Sequence, residues 1–289
     1  MSGDAEAPLC LPPKPLDRRP LARLPEGSVD AHFHVFKPDA PLATPRSYTP
    51  HALTLADWRG YAEAVGIARG VLVQPSVYGF DNSVLLEALA SDPANLRAIA
   101  VLPADTTRAE LTRLDALGVR GVRINTRNKG GLAFESVAGF AAMLTPLGWS
   151  LQFQLKPEQL SQLVQLAPTL DVPLVIDHLG LIALGTAETA AHLAVLQRLL
   201  DVPNTYVKLS APYRLTKGTD HSAFAQIVAQ LLASHPHRLL WGSDWPHTEL
   251  WVNVPDDAEL IDEMTIWLGN AATRTQVFVQ NSQSLFFSR

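Results

Sequence analysis

The chain has 289 residues, 47% hydrophobic and 18% charged, and carries a formal net charge of −5. That balance fits a globular protein with a sizeable core and argues against nucleic acid as the main partner, since phosphate contacts require clustered Lys and Arg. No apolar run approaches the ~20 residues of a membrane span, and the single cysteine, Cys10, excludes an internal disulfide and a cysteine-rich zinc site.

Residues 1–27 are rich in proline and lack the basic start and apolar stretch of a secretory leader. They are expected to run extended as an arm, with the cytoplasm as the compartment. Residues 28–289 contain nothing resembling an interdomain linker and are expected to form one catalytic unit. Within them β-rich runs occur at 29–34, 70–75, 96–102, 118–125, 150–155, 173–178, 204–210 and 239–244. Helical patterns lie between these runs. Leu55, Trp58, Ala62 and Val65 share a face behind a Thr54–Asp57 cap. Thr107 and Glu110 have capping spacing before Leu111, Leu114 and Leu117, and Gly118 ends that pattern. Pro157 suits the first position of a helix continued by Leu160, Leu163 and Leu166. Eight strands alternating with helices close a parallel (β/α)8 barrel of the TIM type. An open doubly wound sheet would carry a Gly-rich phosphate turn after its first strand, whereas this strand ends in His-Phe-His.

His32 and His34 are separated by one residue, so on a strand their imidazoles project to the same side. Alone, such a pair is equally two loop histidines with satisfied hydrogen bonds. His178 ends PLVIDH and Asp244 ends LLWGSD, and both also have bland roles as turn or helix caps. Three strand ends furnished with His or Asp together point to an active site at the barrel mouth. Arg123 lies in strand four and Arg214 follows strand seven, and each needs an anion there. A structural Asp or Glu serves either one, while the two together suit a carboxylated ligand. Arg127 and Lys129 lie in the loop after strand four and add charge nearby. His192, His221, His235 and His237 fall in helices or at the opposite end, and His51 follows the segment at 48–50. Trp58 is expected in packing, and Trp245 is placed to wall the pocket.

The segments DAHFHVF, YTP at 48–50, VQPS at 73–76, GVRGVRIN, VIDHLG and LLWGSDWPH resemble the amidohydrolase superfamily, closest to the 2-pyrone-4,6-dicarboxylate hydrolase group. The likeness runs from about residue 28 to 287. It implies a distorted (β/α)8 barrel and hydrolysis of a cyclic ester, a lactonase activity of aromatic or sugar-acid catabolism. By family pattern His32, His34 and His178 surround the lactone carbonyl and Asp244 activates water. Arg123, Arg214, Tyr48 and Ser76 match positions that hold the substrate, and His247 follows the Asp on its loop. The family's second basic residue after strand four matches Lys129, with Arg127 nearby, and a family tyrosine on strand five falls on Gln154.

Many members of the superfamily use a divalent metal. Here His32, His34 and Asp244 could bind one Zn, but strand five offers Gln152 and Gln154 where a histidine normally completes the set, and glutamine is a poor Zn ligand. The resemblance therefore implies no metal cofactor, with one Zn as the alternative. The expected partner is a small anionic lactone. Competing accounts are an aldaro-lactone hydrolase or lactone isomerase, a Zn-dependent amidohydrolase or decarboxylase, and a barrel that only binds an anionic metabolite.

Overall fold

In a computed structural model of the chain, residues 7–216 and 218–288 are described. Eight strands stand in sequence order, each parallel to the next: β1 Val29–Phe33, β2 Arg69–Val73, β3 Leu96–Ala100, β4 Val119–Asn125, β5 Ser150–Gln154, β6 Leu174–Ile176, β7 Thr205–Leu209 and β8 Leu239–Trp241. Helices α1 Leu55–Val65, α2 Ser83–Ser91, α3 Arg108–Ala116, α4 Val137–Leu144, α5 Pro157–Leu166, α6 Thr189–Leu200 and α7 Ser222–Ser234 connect them, and α8 Asp257–Trp267 and α9 Ala271–Thr275 follow. This is a nearly closed (β/α)8 barrel. The caps form as their spacing predicts, Thr54 N–H donating to Asp57 Oδ2 at 2.7 Å and Thr107 Oγ1 accepting from the Glu110 N–H at 3.2 Å.

The interior has two layers. Val29, Ala31, Val71, Val73, Ile99, Val175 and Leu240 form an apolar lower core, and Phe286 from the C-terminal helical segment is buried against them. Above that layer the interior is polar, with Arg123, Gln152, Asp177 and Lys208 all buried. A second, outer core packs the helices on the sheet; Phe33 stacks on Trp58 of α1 with ring centroids 3.9 Å apart.

Several strands stop earlier than the sequence pattern suggests, and for two of them this decides the site. β6 ends at Ile176 and β8 at Trp241, so His178 and Asp244 lie beyond them. His178 (φ 50°), Ala211 (φ 53°) and Asp244 (φ 62°) each adopt the left-handed conformation just past β6, β7 and β8. Such backbone is costly for residues with a Cβ and clusters at functional sites. Strand alternation therefore does not aim His178 and Asp244; the turns do.

β1 also departs from simple alternation. Its register against β2 shifts between Asp30 and Phe33. Asp30 and Phe33 have opposite parity, yet both reach Trp58, through a Trp58 Nε1–Asp30 Oδ2 hydrogen bond of 3.2 Å and the ring stack. An inserted residue has this effect on a strand. It lets His32 and His34 face inward although Ala31 does so too.

The arm lies against the mouth-side loops. Leu9 pairs with Thr49, the Leu11 N–H donates to Leu250 O at 2.8 Å, and Arg18 pairs with Asp262 at 2.7 Å. His51 contributes by contacting the Cys10 carbonyl at 2.9 Å, away from the barrel centre. Among the described residues no helix is long and apolar enough to cross a membrane.

Candidate active site

The site is built on the seam between β1 and β8. Asp30, buried below the histidines, accepts from the Ser243 N–H (2.8 Å), the Ser243 hydroxyl (2.6 Å) and the His32 N–H (3.0 Å). Burial pushes its carboxyl up to about 6, against the lowering effect of those donors. Gly242 is required beside it, because a Cβ there would sit 2.7 Å from His32 Cβ and 2.9 Å from His32 N. This clamp fixes the loop that carries Asp244 to the strand that carries His32.

Asp244 lies at the centre of the resulting cluster. Its Oδ1 is 3.8 Å from His32 Nε2 and 3.6 Å from His178 Nε2. Its Oδ2 accepts from the Tyr213 hydroxyl at 2.7 Å and from Arg214 Nε at 2.9 Å. Burial alone would raise this carboxyl, but the Arg214 guanidinium holds it well below the usual carboxylate range. Asp244 is therefore ionised at neutral pH.

The histidines are buried and neutral. His34 Nδ1 lies 2.7 Å from the Val73 carbonyl, which can only accept, so that nitrogen carries the proton and Nε2 carries a lone pair. Burial, reinforced by Arg123, pushes His34 down to about 3. Burial likewise pushes His178 down to about 4, partly offset by Asp244, while its Nδ1 lies 2.8 Å from Ser210 Oγ. His32 is also held well below its ordinary value, by burial first and Lys208 second.

Beneath the cluster lies a carboxylate that the sequence pattern did not single out. Asp177 accepts from Gln152 Nε2 (3.1 Å) and pairs with Lys208 Nζ (3.1 Å), Arg123 (3.3 Å) and His32 Nδ1 (3.2 Å). Burial opposes its ionisation, yet Lys208 and Arg123 pull it well below the usual range. Burial pushes Lys208 down to about 8 despite Asp177 beside it. The residue types in IDH and YVKLS were the available signal for both: a second acid beside His178, and a lysine inside an otherwise apolar strand.

A recess opens above the cluster, lined by His34, Tyr48, Ser76, Arg123, Gln154 and Arg214 among others, with His178 and Asp244 at its floor. Only about 20 Å³ of it admits a water-sized sphere, room for about one water. Asn125, Asn128, Thr248 and Glu249 complete the lining, and none of them stood out in the sequence. A larger hollow of about 520 Å³ lies at the opposite end beside His235, His237 and Arg238, and among the described residues no carboxylate lines it.

Not every expected residue reaches the recess. Arg127 and Lys129 are exposed and line none of it, whereas Asn128 between them does, donating to Glu249 Oε1 at 2.6 Å. His247 is fully buried between the Tyr213 hydroxyl (2.9 Å) and Asp257 (3.1 Å), bracing Tyr213 from behind. Trp245 stacks on Tyr61 outside the recess. Both arginines have protein anions, Arg214 in Asp244 and Arg123 in Asp177. Arg123 also contacts Gln154 and the Gln74 carbonyl.

Among the described residues two groups of side chains have ligand atoms close enough to consider a metal: His32, His34 and Asp244, and His32, Asp177 and His178. Neither gains an imidazole from β5, whose Gln152 is committed to Asp177. Asp244 is already held by two donors on Oδ2.

Residues 29–287 match the sequence family described as Amidohydrolase. The chain belongs to the amidohydrolase family. A 4-sulfomuconolactone hydrolase of Rhizobium radiobacter is 31% identical over 98% of this amidohydrolase and 97% of that protein. A D-galactarolactone isomerase of Agrobacterium fabrum is 26% identical over 92% and 93% of the two chains. A crystal structure from Acinetobacter baumannii, described as a probable 2-pyrone-4,6-dicarboxylic acid hydrolase with citric acid bound, matches with a TM-score of 0.78 and 27% identity. The match covers 90% of this amidohydrolase and 99% of that chain.

Proposed function

We propose that this amidohydrolase opens the ring ester of a small carboxylated lactone with water, using Asp244 as general base and no metal ion. One observation carries the mechanism: Asp244 presents Oδ1 to two neutral imidazoles at 3.6 and 3.8 Å while Oδ2 is fixed by Tyr213 and Arg214. Those Oδ1 distances exceed hydrogen bonds, so this oxygen keeps its lone pairs for the proton of an attacking water. The lactone hydrolases among the relatives support the reaction class.

The roles follow from proton positions. With the Ser210 hydroxyl donating to His178 Nδ1, Nε2 bears the proton and can donate to the developing oxyanion. Neutral His34 donates its one N–H, on Nδ1, to the Val73 carbonyl, so its Nε2 does not itself donate to the substrate. Asp244 takes the water proton and returns it to the ring oxygen as that bond breaks. Held low by Arg214, Asp244 is a weak base in the free enzyme. A substrate carboxylate that shares the Arg214 guanidinium relieves that hold and strengthens the base where it is needed.

An isomerase uses the same donors and base, with a substrate hydroxyl replacing water, and one relative bears that name. A panel of pyrone dicarboxylates, muconolactones and aldaro-lactones, followed by NMR, separates the two. Hydrolysis gives the open acid directly. A new ring forming before any open acid would establish the isomerase instead, and binding without turnover across the panel would remove both.

A further inference from the structure

Glu249 lines the substrate recess, yet the proposed reaction gives it no task. It lies on the loop beyond Asp244 with left-handed backbone (φ 59°), a conformation costly for a residue with a Cβ. The N-terminal arm holds that loop: the Glu249 N–H donates to Cys10 Sγ at 3.2 Å, and the Leu11 N–H donates to the Leu250 carbonyl at 2.8 Å. Two amides fix the side chain from across the mouth. Asn125, the last residue of β4, donates through Nδ2 to Asn128 Oδ1 at 3.0 Å, and Asn128 Nδ2 donates to Glu249 Oε1 at 2.6 Å. Among the described residues Glu249 forms no ion pair, and its Oε2 accepts no hydrogen bond.

That carboxylate alters the charge balance of the recess. Arg214 is matched by Asp244, while Arg123 and Lys208 share Asp177. Glu249 offsets the remaining positive charge, so, the histidines aside, three cations stand against three carboxylates. One substrate carboxylate can share an arginine with its protein partner. A second finds no unmatched cation and shares the recess with Glu249. Like charges placed together in a site discriminate against the ligand that brings them there.

The rest of the lining suits hydroxyls. All 12 lining residues have polar side chains, and Tyr48 supplies the one benzene-type ring among them. Flat unsaturated ligands are ordinarily held by apolar and aromatic walls. A hydroxylated ring instead needs donors and acceptors around it, and a carboxylate oxygen without a partner is a strong acceptor for a substrate hydroxyl.

We propose that Glu249 is a specificity residue that directs the site to lactones bearing one carboxylate and free hydroxyls, those of hydroxylated sugar acids, and against dicarboxylates. This rests on the lactone-opening reading above and names the substrate class within it.

The test compares full-length wild type and Glu249→Gln on three substrates. They are an aldaro-lactone with one carboxylate and several hydroxyls, a muconolactone with one carboxylate and no hydroxyl, and a pyrone dicarboxylate. Loss of the starting lactone is followed, so hydrolysis and isomerisation both register. In wild type the aldaro-lactone is expected to have the lowest KM and the dicarboxylate the highest. Glu249→Gln keeps the size of the side chain and removes its charge. It should lower the ratio of kcat/KM for aldaro-lactone over dicarboxylate by about tenfold or more, the scale of a hydrogen bond to a charged group. A lower KM for the dicarboxylate than for the aldaro-lactone in wild type would overturn the role of Glu249, and that result needs no variant to fold. An unchanged ratio in a folded Glu249→Gln would overturn it too, and either result leaves lactone opening standing. Consumption of none of the three would remove the proposed reaction, and the role of Glu249 with it.

Discussion

The backbone N–H of Asp244 donates to the carbonyl of His32 at 2.9 Å, and this bond helps close the barrel between its last strand and its first. The same two residues face each other with side chains, His32 Nε2 and Asp244 Oδ1 being 3.8 Å apart. Closing the fold and assembling the site are therefore one event. A seam bonded at its upper end places a carboxylate beside imidazoles from opposite ends of the sequence.

Replacing Asp244 by Asn keeps the backbone bond and the shape of the side chain while removing the proposed base. Turnover is expected to fall by about 10²–10⁴-fold with little change in KM. Steady-state kinetics on the best lactone of the panel check this, with circular dichroism confirming the fold. Near wild-type turnover would remove Asp244 from the mechanism.

In the proposed mechanism Arg214 has two jobs, and its replacement by Met should separate them. Loss of a charge-assisted hydrogen bond to a substrate carboxylate, worth ~1.5–3 kcal/mol, raises KM by about tenfold or more. Loss of the guanidinium beside Asp244 should also move the acid limb of kcat to higher pH, by about 1–3 pH units. A raised KM with an unmoved limb would mean the pair with Asp244 does not tune the base.

Gly242→Ala tests the seam directly. Its methyl would press on His32 Cβ from 2.7 Å, with backbone behind it. Forced packing of this kind costs ~1–3 kcal/mol, and activity should fall further than stability because the clash lies at the site. A thermal melt compared with kcat distinguishes the two effects.

Acid should destabilise the fold before the carboxylates titrate. His34 and His178 are pushed down to about 3 and about 4 by burial, and His32 lies well below its ordinary value. Each is neutral when folded and takes up a proton on unfolding below pH ~6.5, so their contribution is complete above that pH and lost as pH falls toward the folded values. Asp30, raised to about 6, acts in the opposite sense between its ordinary value and about 6. The histidines outnumber it, so stability is expected to fall by at least ~1.4 kcal/mol per pH unit, one net proton, between pH 6 and 4. Urea midpoints across that range measure it; a flat profile would contradict neutral buried histidines.

The alternation of strands and helices was plain in the sequence, and the fold followed from it. The site was legible where chemistry sat at a strand end, as with His32, His178 and Asp244. It was not legible where tertiary pairing decided the role. Lys208 and Asp177 look like a stray charge and a flanking acid until the barrel places them 3.1 Å apart beneath His32. Arg127 and Lys129 matched a charge expectation, but both are exposed, and it is Asn128 between them that lines the recess. The bulge in β1 is equally silent, because it depends on Asp30 and Phe33 sharing Trp58.

The most direct measurement is ¹⁸O incorporation during turnover of a carboxylated lactone in H2¹⁸O, with excess chelator present. Metal-free attack by water activated at Asp244 predicts an open acid carrying one ¹⁸O, formed at the rate seen without chelator. Turnover abolished by the chelator, or product rings free of ¹⁸O, would contradict it.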